Sequence, residues 1–147
     1  MSLSFRVSAT IARPIEEVFD HVVEPALLCS YFTSEASAAL EPGRKVRWTW
    51  KGGEREDVMV DEVVRPHVIV FRWQAFLRPE ITTVRMAFEP LATGEGGAVG
   101  TRLTVSEDGW REGDTAALAS AFEHCAGWQH MLLCLRARMT FGIDLRG

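Results

Sequence analysis

His124 is the residue whose type and setting most invite chemistry. It lies in the run Asp114–Met139, which holds no proline and many good helix formers. At about 100° per residue it shares an apolar stripe with Ala117, Ala121, Cys125, Trp128, Leu132, Leu135 and Met139, while Glu123, Ala126, His130 and Ala137 fall on the opposite side. An imidazole inside such a stripe is a satisfied core or rim histidine, a polar contact for a ligand, or a general base working near neutral pH. A base needs a carboxylate partner. Glu56, Asp57 and Glu62, on a predicted strand, are the candidates.

The tryptophans offer a second chemistry, the burial of an apolar or aromatic guest. Trp48 and Trp50 share one face of an alternating run, Trp73 follows Ile69 and Phe71 on another, and Trp128 lies one turn after His124. These side chains fill a core, or they line a cavity whose indole N–H groups orient a ligand. The expected cavity surface is Trp48, Trp50, Phe71, Trp73, Met86, Phe88, His124, Trp128 and Leu132.

Other candidates are weaker. His130 and Cys134 stand one helical turn apart without a second ligand pair, and there is no HExxH, so no metal site is expected. Cys29, Cys125 and Cys134 are odd in number and lack CxxC spacing, as befits reduced thiols in a cytoplasmic protein. Gly94, Gly96 and Gly97 precede no helix and read as loop glycines within Thr93–Gly100, not as a phosphate cradle. Arg85 and Arg102 run out of phase with the apolar residues of their strands and read as solvated. Phe122 and Leu133 lie on the flank of the long helix, where they either pack under neighbouring helices or form a patch for self-association.

The positioning elements follow from periodicity. Ser4–Ala12 alternates as a half-buried strand. Pro14, Glu16 and Glu17 open a short helix with Val18, Phe19 and Val22 on its apolar face, and a second runs from Pro25 to about Tyr31. Six strands at hairpin spacing come next: Ala36–Leu40, Lys45–Lys51, Glu56–Val64, His67–Gln74, Glu80–Glu89 and Thr101–Ser106. Glu107-Asp108-Gly109 is expected to close the sheet region before the long helix. Strands this closely spaced pair antiparallel, because a parallel crossover needs about a dozen residues or more. The fold class is therefore α+β, β-α-α-β6-α, a curved antiparallel sheet of about seven strands around a long C-terminal helix. One domain is expected over 1–147.

The ordered set of local features resembles a known family. Its members are Ile11-Ala12-Arg13-Pro14 entering a helix with Val18-Phe19, Pro42-Gly43 before Val46–Trp50, and Val60–Pro66 followed by Ile69–Trp73. Gly100-Thr101-Arg102-Leu103-Thr104 and Gly127-Trp128 with Leu132 and Leu135 complete it. The set resembles the Hsp90 ATPase activator homologues, within the START/Bet v 1-like helix-grip superfamily. That resemblance implies a cavity between sheet and long helix, and brings no shared catalytic triad or cofactor. It also implies a chaperone as one partner, and a superfamily that includes lipid carriers, hormone binders and polyketide cyclases.

Bulk properties bound the rest. A net charge of −4 without a Lys/Arg cluster argues against nucleic acid. No apolar run approaches the roughly 20 residues of a membrane span, and the N-terminus lacks an export signal. The leading expectation is a small soluble cytoplasmic binding protein for an apolar or aromatic small molecule or lipid. The alternatives are a cyclase, dehydratase or hydrolase using the same cavity, and a chaperone-interacting module. A homodimer is compatible with each.

Overall fold

In the computed structural model, residues 2–93 and 98–146 are described. The glycines at 94, 96 and 97 lie outside them. The chain runs β1 (Ser2–Ile11), α1 (Ile15–Val23), α2 (Pro25–Leu28), β2 (Glu35–Ala36), β3 (Lys45–Thr49) and β4 (Arg55–Val64). It continues with β5 (Val68–Gln74), β6 (Ile81–Thr93), β7 (Ala98–Arg111) and α3 (Thr115–Phe141). The strands form one antiparallel sheet in the order β1-β7-β6-β5-β4-β3-β2.

The expected class, order and long helix are all present. Several element lengths differ, among them β3, which ends at Thr49, and β6, which runs past Glu89 to Thr93. The second helix stops at Leu28, because Tyr31 turns inward and its hydroxyl donates to the His21 carbonyl at 3.0 Å. The second strand shrinks to two residues. Strand β7 does not end at Ser106 but continues through Glu107-Asp108-Gly109 to Arg111, paired with β1 on one side.

That extension needs a bulge. Along β1 the register shifts between Leu3, opposite Trp110, and Ser4, opposite Asp108. Gly109 takes up the extra position with φ +129°, where L side chains are strained. The bulge resets the alternation, so Thr101, Leu103, Val105 and Glu107 point inward before it and Trp110 points inward after it.

Helix α3 is capped by Asp114, whose carboxylate accepts from the amides of Ala116 (2.9 Å) and Ala117 (3.1 Å), and it ends at Gly142 with φ 67°. It packs across β1 and β7, while α1 packs on β6 and β7. Its inner face buries Ala117, Ala121, Trp128, Met131, Leu132 and Leu135. Phe122 and Leu133 are not packed under α1 and α2. They stand 67% and 46% exposed on the outer face of α3, since the short helices cover a different part of the sheet.

Candidate functional site

A cleft of about 390 Å³ opens beside α3, over the β3–β5 half of the sheet. Phe32, Trp50, Trp73, Phe76 and Trp128 supply its aromatic walls. Glu54, Glu56, Gln74, Glu123 and His124 supply its polar groups, and Gly127 of α3 leaves open space on one side. The volume lies in the range of about 300–1,000 Å³ usual for small-molecule sites.

Beneath the cleft sits Glu107, only 1% exposed. One carboxylate oxygen accepts from Trp73 Nε1 (2.9 Å) and Thr82 Oγ1 (2.6 Å), and the other from Trp128 Nε1 (2.8 Å). His124 Nδ1 lies 3.0 and 3.1 Å from the two oxygens. Because a carboxylate offers only acceptors, Nδ1 donates and the other ring nitrogen, Nε2, is left for the cleft. Among the described residues Nε2 has no hydrogen-bond partner. Trp73 and Trp110 meet the His124 ring edge to face, at centroid distances of 5.8 and 5.0 Å, and clamp its orientation. Trp110 is held in turn by donating to Ser120 Oγ at 2.9 Å.

This arrangement divides the nine expected cavity residues. Trp50, Trp73, His124 and Trp128 border the cleft. Trp48, Phe71, Met86, Phe88 and Leu132 do not; all five are buried in the main core beneath it. The inward face of the curved sheet is deep enough to pack these side chains solidly, and the cleft lies over its β3–β5 part. Trp48 is fully enclosed, and its N–H has no nitrogen or oxygen partner among the described residues. Phe32, Trp50, Phe71 and Trp73 surround it at steep interplanar angles of 73–89°, which leaves π faces as the acceptors within reach.

The expected orienting role of the indole N–H groups also changes. Those of Trp73 and Trp128 are spent on Glu107 and point away from a guest. The carboxylate partner of His124 is Glu107, not Glu56, Asp57 or Glu62. Glu107 was hidden in a tripeptide with the composition of a turn; its signal was phase, since it continues the two-residue alternation of Leu103 and Val105. Glu56 does border the cleft, and burial pushes its carboxyl above the usual range, with Asp57 adding to the rise and His124 opposing it.

Other candidates stay dispersed. Cys134 Sγ lies 3.5 Å from His130 Nε2, and among the described residues no group of three or more His, Cys, Asp or Glu is gathered for a metal. Arg85 and Arg102 are exposed. No helix among the described residues is long and apolar enough to cross a membrane.

A curved antiparallel sheet gripping a long C-terminal helix, with an edge cleft beside that helix, defines a helix-grip protein. Residues 12–140 match the family described as Activator of Hsp90 ATPase homolog 1-like protein, and the chain belongs to that family. Its fold is similar to that of a Staphylococcus saprophyticus protein, with TM-score 0.76 and 22% identity over 98% of this chain and 96% of that one. A Mesorhizobium loti protein matches at TM-score 0.79 and 18% identity, over 97% and 100% of the two chains. The Aha1 dimer from Colwellia psychrerythraea matches at TM-score 0.73 and 16% identity, over 95% and 98%. No curated protein matches the sequence significantly.

Proposed function

We propose that this protein binds an apolar or aromatic small molecule in the cleft between the β3–β5 edge of the sheet and α3. The observation that carries the reading is the Glu107 network. One buried carboxylate fixes two cleft-wall indoles and the cleft-facing imidazole, so the lining is preorganised, which lowers the ordering cost of binding. The three cysteines are free thiols, in keeping with a reducing, cytoplasmic setting.

Native mass spectrometry of gently purified protein, compared with the denatured mass, tests the reading. A reproducible extra mass is expected on the wild type and not on Gly127→Leu, whose Cβ meets nothing within 4 Å and which adds bulk to the cleft wall. An extra mass carried equally by both proteins would place the guest elsewhere.

A second reading has its own observation. An imidazole oriented through Nδ1 by a buried carboxylate, with Nε2 free, is the arrangement of a general base. If the cleft catalyses a proton transfer, His124→Asn abolishes it while leaving ligand binding largely intact. Unchanged binding and turnover in His124→Ala would end that reading. The Colwellia relative is a dimer, and the exposed Leu118, Phe122 and Leu133 of α3 suit self-association here. The family name raises a chaperone as the other candidate for the same surface.

A further inference from the structure

We infer that the cleft selects an organic cation, an amine or quaternary ammonium group carried on an apolar or aromatic body. This rests on the small-molecule reading above and adds the charge of the guest.

The first argument is the shortage of donors. An anion or carbonyl needs N–H or O–H groups, yet Trp73, Trp128 and His124 Nδ1 all donate to Glu107 and one Gln74 amide hydrogen goes to the Arg78 carbonyl at 2.7 Å, which leaves the Trp50 N–H and the second Gln74 hydrogen as the side-chain donors of the lining. The second is what remains. Trp73 and Trp128 stack at 5.5 Å with an interplanar angle of 28°, and each borders the cleft with the small part of its ring left uncovered. An indole whose N–H points at a carboxylate has electron density pushed into its ring, which strengthens its attraction for a cation.

The third argument is charge. Glu54, Glu56 and Glu123 border the cleft, and none makes an ion pair among the described residues. Asp57 is paired with Lys45 and Arg47, Asp61 with Arg72 and Glu80 with Arg78, whereas Glu62 and Glu89, outside the cleft lining, make no ion pair among the described residues either. Arg47 and Arg55 border a separate recess that shares Glu56 and Gln74, and neither borders the aromatic cleft. An aromatic wall bordered by Glu54 and Glu123 without cationic partners, with Glu56 beside them, favours positive charge and repels negative charge.

Titration of the intrinsic tryptophan fluorescence with three probes tests this: benzyltrimethylammonium, its neutral carbon isostere neopentylbenzene, and phenylacetate. The cation should bind about tenfold tighter than the isostere, and phenylacetate weakest. In the double variant Glu54→Gln/Glu123→Gln, at two exposed positions, the cation's advantage should shrink about threefold or more, as it should for the wild type in 0.5 M salt. Loss of the preference, or its independence of the two carboxylates, overturns the inference and leaves the small-molecule reading standing. A cleft that takes none of the three probes, in wild type as in Gly127→Leu, ends both.

Discussion

A carboxylate that accepts from two indoles, a hydroxyl and an imidazole has no good substitute. Glu107→Gln keeps the volume but turns an amide donor towards at least one of Trp73, Thr82, Trp128 and His124. Hydrogen bonds to a charged group contribute about 1.5–3 kcal/mol each, and an unmatched buried donor costs a comparable amount, so we expect Glu107→Gln to lose about 2–4 kcal/mol. Urea denaturation followed by tryptophan emission measures it, and a loss under 1 kcal/mol would show the network to be slack. Glu56 makes a pH prediction of opposite character. Its carboxyl is raised, chiefly by burial, so ionising it costs the fold. The cost is absent below the unfolded value near 4.5 and complete above the raised folded value. Glu56→Gln should therefore gain stability relative to wild type at neutral pH, and the gain should vanish as pH falls below that range. Asp57 and His124 act on Glu56 with opposite signs, and Arg47 and Arg55 share its outer recess, so the comparison is best made by melting both proteins across pH at fixed salt.

At the scale of the elements, two glycines carry the geometry of the cleft. At Gly109, a Cβ would meet the Ile81 carbonyl oxygen at 3.0 Å and Thr82 Cα at 3.2 Å, with φ already at +129°. Gly109→Ala should cost about 1–3 kcal/mol and disturb the phase that sends both Glu107 and Trp110 inward; its effect reads out in the near-ultraviolet signal of the tryptophans. Gly127 is the opposite case. It interrupts α3 with helical backbone and nothing within 4 Å of its Cβ position, so the fold has no steric need for it. Gly127→Ala should raise stability by about 0.5–1 kcal/mol, seen as an upward shift in Tm. The pair also shows where the sequence is legible. Alternation exposed most of the strands, and a proline-free run exposed α3, because one-sided burial imposes those periods directly. The end of β7 was not legible as a strand: Glu-Asp-Gly has the local chemistry of a turn, and pairing with β1 and the donors on β5, β6 and α3 overrides it. The buried carboxylate at the heart of the site was lost with it. Division of the inward aromatics between solid core and cleft was beyond periodicity too, since Trp48 lies inside β3 and Trp50 just past its end, a difference that alternation does not show.

For the whole molecule, the question is what the outer face of α3 meets. At helical spacing Leu118, Phe122 and Leu133 fall within an arc of about 60°, and all three are exposed. Ala126 and Gln129 lie within or beside the same arc, so the stretch of the strip between Phe122 and Leu133 carries no charge, although Arg136 falls within the arc about one turn beyond Leu133. A strip with an uncharged middle is complementary to its own copy in a twofold antiparallel pairing, which sets the Phe122 end of one helix against the Leu133 end of the other. A single helix face buries less than the roughly 800 Å² per partner of a standard interface, so the association should be weak and depend on concentration. Light scattering across a dilution series should show a dimer at high concentration dissociating on dilution. Phe122→Glu should stay monomeric throughout with stability changed by less than about 0.5 kcal/mol, because Phe122 has little burial to lose. The same variant adds a carboxylate one residue from Glu123 on the cleft rim. If the cleft favours cations, Phe122→Glu should bind benzyltrimethylammonium at least as tightly as wild type while losing the dimer. A monomer at every concentration would remove self-association as the role of this face, and joint loss of dimer and probe binding would show the cleft to be completed by the second copy.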